Sequence, residues 1–235
     1  LSKISKHTFD KKTFKSMVFV SFTLTAIIIY IYIYLKKRKV PIEDVAISSQ
    51  KIFREGEYWR IFTGSLSHYE FQHFLMNLIN VYTFIGIELT LGSITYLKFI
   101  IILIISSSII VSLFLLILQP IIQIHLVGFS MVLFGLIAYQ SSFAGNDEKL
   151  FNTNIPYSYL PYVMLIVVKI VCFHSSLLGH IAGIIIGYAY KYKFFYWYTN
   201  SLFIITIPFI AYFFLNNYNE TQENKLEWFE KIKEI

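Results

Sequence analysis

Four side chains in this 235-residue chain have the types and spacing for nucleophilic chemistry: His73, Asn77, Ser130 in Val127-Gly128-Phe129-Ser130-Met131, and His180 in Gly179-His180-Ile181-Ala182-Gly183. A serine hydroxyl becomes a nucleophile when a neighbouring base takes its proton, and neutral imidazole is the usual base. Ser130 with His180 supplies that pair. Acyl transfer also needs donors aimed at the developing oxyanion, for which an imidazole N–H, a carboxamide and a backbone amide are suitable. His73, Asn77 and the Ser130 N–H are the candidates, and His73 and Asn77 stand i, i+4, on one helix face. Neither half of this chemistry calls for a metal or a cofactor.

The elements that position these residues are membrane spans. Apolar residues make up 56 % of the chain and charged residues 14 %, against about 25 % charged in an ordinary soluble domain. Mean hydropathy is +0.60. The run Met17 to Leu35 carries no charge and matches the roughly 20 residues that cross about 30 Å of hydrocarbon. It ends in Tyr32, Tyr34 and Leu35 before Lys36-Lys37-Arg38-Lys39, unlike a signal peptide with a small-residue cleavage site. Further spans are read at 73–91, 94–118, 126–143, 157–173 and 176–192. The expected fold is therefore an all-α polytopic membrane protein with a six-helix bundle over 17–192. A basic segment (1–16) precedes it, a possible seventh span (195–215) is interrupted by Asn200 and Pro208, and a charged amphipathic tail (216–235) follows. Residues 36–72 read as a long interfacial loop with short amphipathic helices. The net charge of +6 sits in short clusters, a juxtamembrane pattern that argues for a bilayer as partner and against nucleic acid. One cysteine, Cys172, excludes an intrachain disulfide framework. Five lysines before span one and seven Lys/Arg in the long loop after it leave the orientation open.

Alternate spans run in the same direction, so depths can be compared. Spans two, four and six start from the side of the long loop; His73 and Asn77, Ser130, and His180 all fall within the first turn or two of their spans. At about 1.5 Å rise per residue, the four can share one layer near that face. Each has a bland reading: an intramembrane serine usually bonds its own i−4 carbonyl, a lone histidine is usually structural, and the G-x-x-x-G of Gly183 and Gly187 is usually a packing motif. The joint layer is what favours chemistry. If span four is the neighbour that Gly183 and Gly187 admit, the close approach brings His180 to Ser130. The acid within the spans is Glu88, near a helix end, so a Ser-His dyad is implied rather than a triad. A metalloprotease His-Glu-x-x-His motif and an intramembrane aspartate pair are both missing from the sequence. His7, His68, His125 and His174 fall near loops or termini and are expected to be solvated.

The distributed pattern resembles the rhomboid family of intramembrane serine proteases: Trp59-Arg60 in the first loop, His73-x-x-x-Asn77, Glu88-Leu-Thr-Leu91-Gly92-Ser93, Gly128-x-Ser130, and His180-x-x-Gly183-x-x-x-Gly187. The likeness covers about residues 50–192, and its serine and histidine motifs look most like those of the endoplasmic-reticulum branch. It implies that Ser130 attacks a peptide bond in a substrate's transmembrane segment with His180 as general base and then acid. It further implies that His73 and Asn77 stabilise the oxyanion, that the Phe134 ring packs on the catalytic histidine, and that Trp59-Arg60 and Glu88 hold structural positions. The family usually has glycine directly after the serine; here it is Met131.

Three functions follow as expectations: a protease cleaving transmembrane protein substrates, a catalytically silent adaptor binding client helices with Met131 crowding the oxyanion pocket, and a channel or carrier. The last needs polar residues through the full membrane depth, which the single layer does not supply. The resemblance implies a multi-pass protein of an endomembrane, the endoplasmic reticulum or Golgi.

Overall fold

The computed structural model describes residues 18–118, 125–145, 147–150, 153–173 and 175–196. The basic segment 1–16, the seventh candidate span 195–215 beyond residue 196, and the tail 216–235 lie outside the described residues, as do His7 and His174. The described chain is all-α. Its helices are α1 (Phe19–Arg38), α2 (Ile42–Val45), α3 (Ser49–Phe53), α4 (Arg60–Leu66), α5 (Phe71–Thr83), α6 (Ile85–Leu91), α7 (Ser93–Leu118), α8 (Ser130–Ser141), α9 (Leu160–Val171) and α10 (Leu177–Lys191). Phe19–Arg38, the continuous Phe71–Leu91 segment formed by α5 and α6, and Ser93–Ile117 are long and apolar enough to cross a membrane, and α8, α9 and α10 are shorter apolar helices. The chain is an all-α polytopic membrane protein.

Span two is broken at Phe84, whose φ of −95° and ψ of 9° end α5 and start α6. On α6, Glu88 is fully buried against the start of α1. Its carboxylate accepts from the backbone N–H of Val20 at 2.9 Å and of Ser21 at 2.8 Å, and from the hydroxyls of Ser21 at 2.6 Å and Ser93 at 2.7 Å. First-turn N–H groups have no intrahelical acceptor, and the helix dipole favours an anion there. Glu88 therefore closes the end of the bundle far from the His73 layer.

The long loop is a packed scaffold. Arg60 is buried; it pairs with Glu57, stacks over Trp59 at 4.6 Å, and donates through Nη1 to the carbonyls of Glu43 at 2.7 Å and Ala46 at 3.1 Å. A buried guanidinium is tolerable only when its donors are met, so these bonds fix the course of residues 43–60. That course is passed to the segment entering α8: Ile47 N–H donates to Leu126 O at 2.9 Å and Gly128 N–H to Gly64 O at 2.8 Å. A Cβ on Gly64 would lie 2.6 Å from Ile47 Cγ1, so only glycine lets the two pieces meet.

Candidate active site

Helix α10 lies directly on α8 because glycines remove the side chains between them. A Cβ on Gly183 would stand 1.9 Å from the Met131 carbonyl oxygen, and one on Gly187 2.2 Å from that of Gly135. Span four is thus the neighbour that the G-x-x-x-G motif admits. The contact carries His180, one turn before Gly183, to Ser130, the first residue of α8: Nε2 lies 3.0 Å from Oγ. Ser130 bonds histidine rather than its own i−4 carbonyl, and with Nε2 as acceptor the His180 proton sits on Nδ1. The Phe134 ring, one turn after Ser130, stacks on His180 with centroids 4.1 Å apart and planes 20° from parallel. Both His180 and Phe134 are buried. Glu88 is held by α1 some fifteen residues beyond His73, roughly 20 Å away along the span, so it cannot serve as a third member.

Ser130, His73 and Asn77 line a narrow cavity of about 30 Å³ between α5, α8 and α9, room for about two waters. Asn77 is buried and donates one Nδ2–H to His73 O at 2.9 Å, leaving its second N–H. His73 Nε2 is buried with no hydrogen-bond partner among the described residues. The Ser130 N–H, at the first position of α8, has no intrahelical acceptor. A carboxamide N–H and an unpartnered imidazole nitrogen therefore belong to side chains lining the same cavity as the hydroxyl, and the Ser130 N–H lies at the start of the same helix. His73 also lines a second, larger cleft of about 220 Å³ with Tyr69, Glu70, His125 and Cys172.

Gly128 is required twice. Its φ of +124° is a region that side chains rarely adopt, and a Cβ there would lie 2.6 Å from His73 Cε1. Glycine thus lets the His73 ring come up against the segment that presents Ser130.

His68 overturns its expected solvation. It is fully buried, its Nε2 accepting the Phe129 N–H at 3.2 Å and its Nδ1–H donating to Leu66 O at 3.2 Å. Burial, reinforced by the His73 ring with its centroid 5.3 Å away, lowers its pKa from the usual 6.5 to about 3. The neutral ring with its proton on Nδ1 is the form that fits both bonds, and it fixes the peptide just before Ser130. The signal that could have found it is an orphan: the N–H of the residue before a helix needs an acceptor, and a histidine five residues before His73 can reach it. His125 is exposed, as expected.

Met131 is only 2 % exposed, its sulfur accepting from Ser108 Oγ of α7 at 3.8 Å. It is not among the residues lining the Ser130 cavity. Its side chain leaves the helix on the side away from that cavity.

A family model, the Rhomboid domain, matches residues 55–197. The chain belongs to the rhomboid family. It is also similar to Rhomboid-like protein 15 of Arabidopsis thaliana, 37 % identical over 71 residues that cover 29 % of this chain and 18 % of that protein. The chain thus spans under a fifth of that relative's length. No solved structure matches. Membership in this family fits the multi-pass membrane architecture of the helices.

Proposed function

We propose that this rhomboid protein is an intramembrane serine protease that cleaves transmembrane segments of membrane-protein substrates through Ser130 and His180. The observation that carries the reading is the 3.0 Å contact between Ser130 Oγ and His180 Nε2 at a cavity that His73 and Asn77 also line. In this scheme Ser130 Oγ attacks the scissile carbonyl while His180 Nε2 takes its proton. The charge that develops on the carbonyl oxygen is met by the Ser130 N–H, the second Nδ2–H of Asn77 and a His73 Nε2–H. His180 then returns the proton to the leaving amine, and a water activated by the same imidazole releases the acyl group. Phe134, stacked on His180, holds the ring in line, and Gly183 and Gly187 hold α10 close enough for the transfer.

The silent-adaptor reading rested on Met131 crowding the oxyanion pocket, and the bond of its sulfur to Ser108 on α7 supports the active form instead. The motif likeness to the endoplasmic-reticulum branch supports an endomembrane location. The test is kinetic. Ser130→Ala and His180→Ala should each abolish cleavage of a helical substrate in micelles, and the double variant should be no worse, because the pair acts as a unit. Additive partial losses would overturn the assignment.

A further inference from the structure

Asn80 is a polar side chain of the Ser130 cavity that the proposed chemistry does not use. It lies on α5 one turn beyond Asn77 and lines the same cavity. The cavity residues around it at that depth, Leu133, Phe134, Ile137, Met164 and Val168, are apolar. One Nδ2–H of Asn80 bonds the Met76 carbonyl at 2.8 Å, the usual way a helix absorbs half of a polar side chain. Among the described residues its Oδ1 has no partner. An unpaired carboxamide acceptor at membrane depth is costly unless something meets it, and polar groups at such depth are functional by default.

Resting on the protease reading, the occupant follows from the chemistry of reaching Ser130. A peptide in a helix has its carbonyl shielded and its N–H committed, so a transmembrane segment must be extended where it is cut. Extension leaves backbone N–H groups bare in an apolar setting, where each unmet donor is expensive. Asn80 is about 4.5 Å deeper than Asn77 along α5, and an extended chain advances about 3.3 Å per residue. That distance reaches the first or second substrate residue on the membrane side of the scissile bond. We propose that Asn80 is a specificity-determining residue whose Oδ1 accepts that backbone N–H.

The test reads binding apart from cleavage. The full chain carrying Ser130→Ala, in lipid nanodiscs, is titrated with a synthetic Leu/Ala-rich single-span peptide interrupted by a Gly-Gly pair. The same peptide is then made with one backbone amide at a time replaced by an ester along the six residues on the membrane side of the pair. One ester position should weaken binding about tenfold, and Asn80→Leu should weaken the parent peptide by a similar factor and erase that ester's effect. Ester effects of equal size with and without the Asn80→Leu substitution, or no binding of the parent peptide, overturn the inference. Failure of the wild type to cleave the peptide, with the Asn80-dependent ester effect present, overturns the protease reading alone. Cleavage without that effect overturns the inference alone.

Discussion

Replacing Gly183 by alanine adds one methyl group at the narrowest point between α10 and α8. The new Cβ would lie 1.9 Å from Met131 O, 2.9 Å from Met131 C and 3.2 Å from Gly135 N. These are backbone atoms, so no side chain can swing away. Ordinary contact begins near 3.4 Å, so the helices must part by about 1–1.5 Å at this level. His180 stands one turn away on α10 and Ser130 at the start of α8, so their 3.0 Å separation would open beyond hydrogen-bond reach. A displacement of about 1 Å costs on the order of 10²-fold in rate. Overpacking costs about 1–3 kcal/mol of stability, offset by up to about 1 kcal/mol of helix propensity gained from glycine. Gly179→Ala is the internal control, because its Cβ would meet ordinary neighbours at 3.6 Å and beyond on the same helix. The assay is cleavage of a fluorogenic helical peptide in micelles, with thermal melts of each variant. Gly183→Ala should remain folded with activity down 10²-fold or more, while Gly179→Ala stays within a few fold of wild type. A folded Gly183→Ala at near wild-type rate would refute the argument that glycine-mediated approach sets the Ser-His distance.

Met131→Ala removes a buried side chain packed against α7 and should cost about 2–4 kcal/mol in thermal or denaturant unfolding. The specific activity of the folded fraction should be unchanged; a large rise would mean that the methionine obstructs the pocket. Asn77→Ala should lower kcat by roughly 10²–10³ with little change in KM, as expected for a lost oxyanion donor; equal loss in KM would refute that role. His68 predicts acid sensitivity. Its folded-state pKa of about 3 lies below the unfolded value near 6.5, so the unfolded chain binds the extra proton and stability falls as pH drops from about 6.5 towards 3. The slope is about 1.4 kcal/mol per pH unit. Melts at pH 7 and pH 5 should show a loss in wild type that is flattened in His68→Phe, and identical slopes would refute it.

The spans and the polar layer were legible in the sequence for one reason: burial in lipid makes hydropathy a depth scale, and alternate spans share a direction. His73, Asn77, Ser130 and His180 could therefore be set at one level before any contact was known. What hydropathy could not give was azimuth. Met131 and Ser130 are adjacent, and only the packing of α7 shows that one faces Ser108 while the other faces the cavity. Loop burial was also invisible, which is why His68 was misjudged: a position outside a span says nothing about whether the loop is packed. Glu88 needed a partner, but the partner is mostly backbone at the start of α1, and backbone donors leave no mark in a sequence. The break at Phe84 had no proline or adjacent glycine to announce it.

The central claim is that Ser130 is a nucleophile activated by His180, and covalent labelling tests it most directly. The full chain in micelles is treated with a fluorophosphonate probe and the modified residue is mapped by mass spectrometry. The account predicts labelling of the wild type at Ser130, none in Ser130→Ala, and at least 10²-fold slower labelling in His180→Ala. Folded wild-type protein that takes up no probe, or takes it up at a serine other than Ser130, would contradict it.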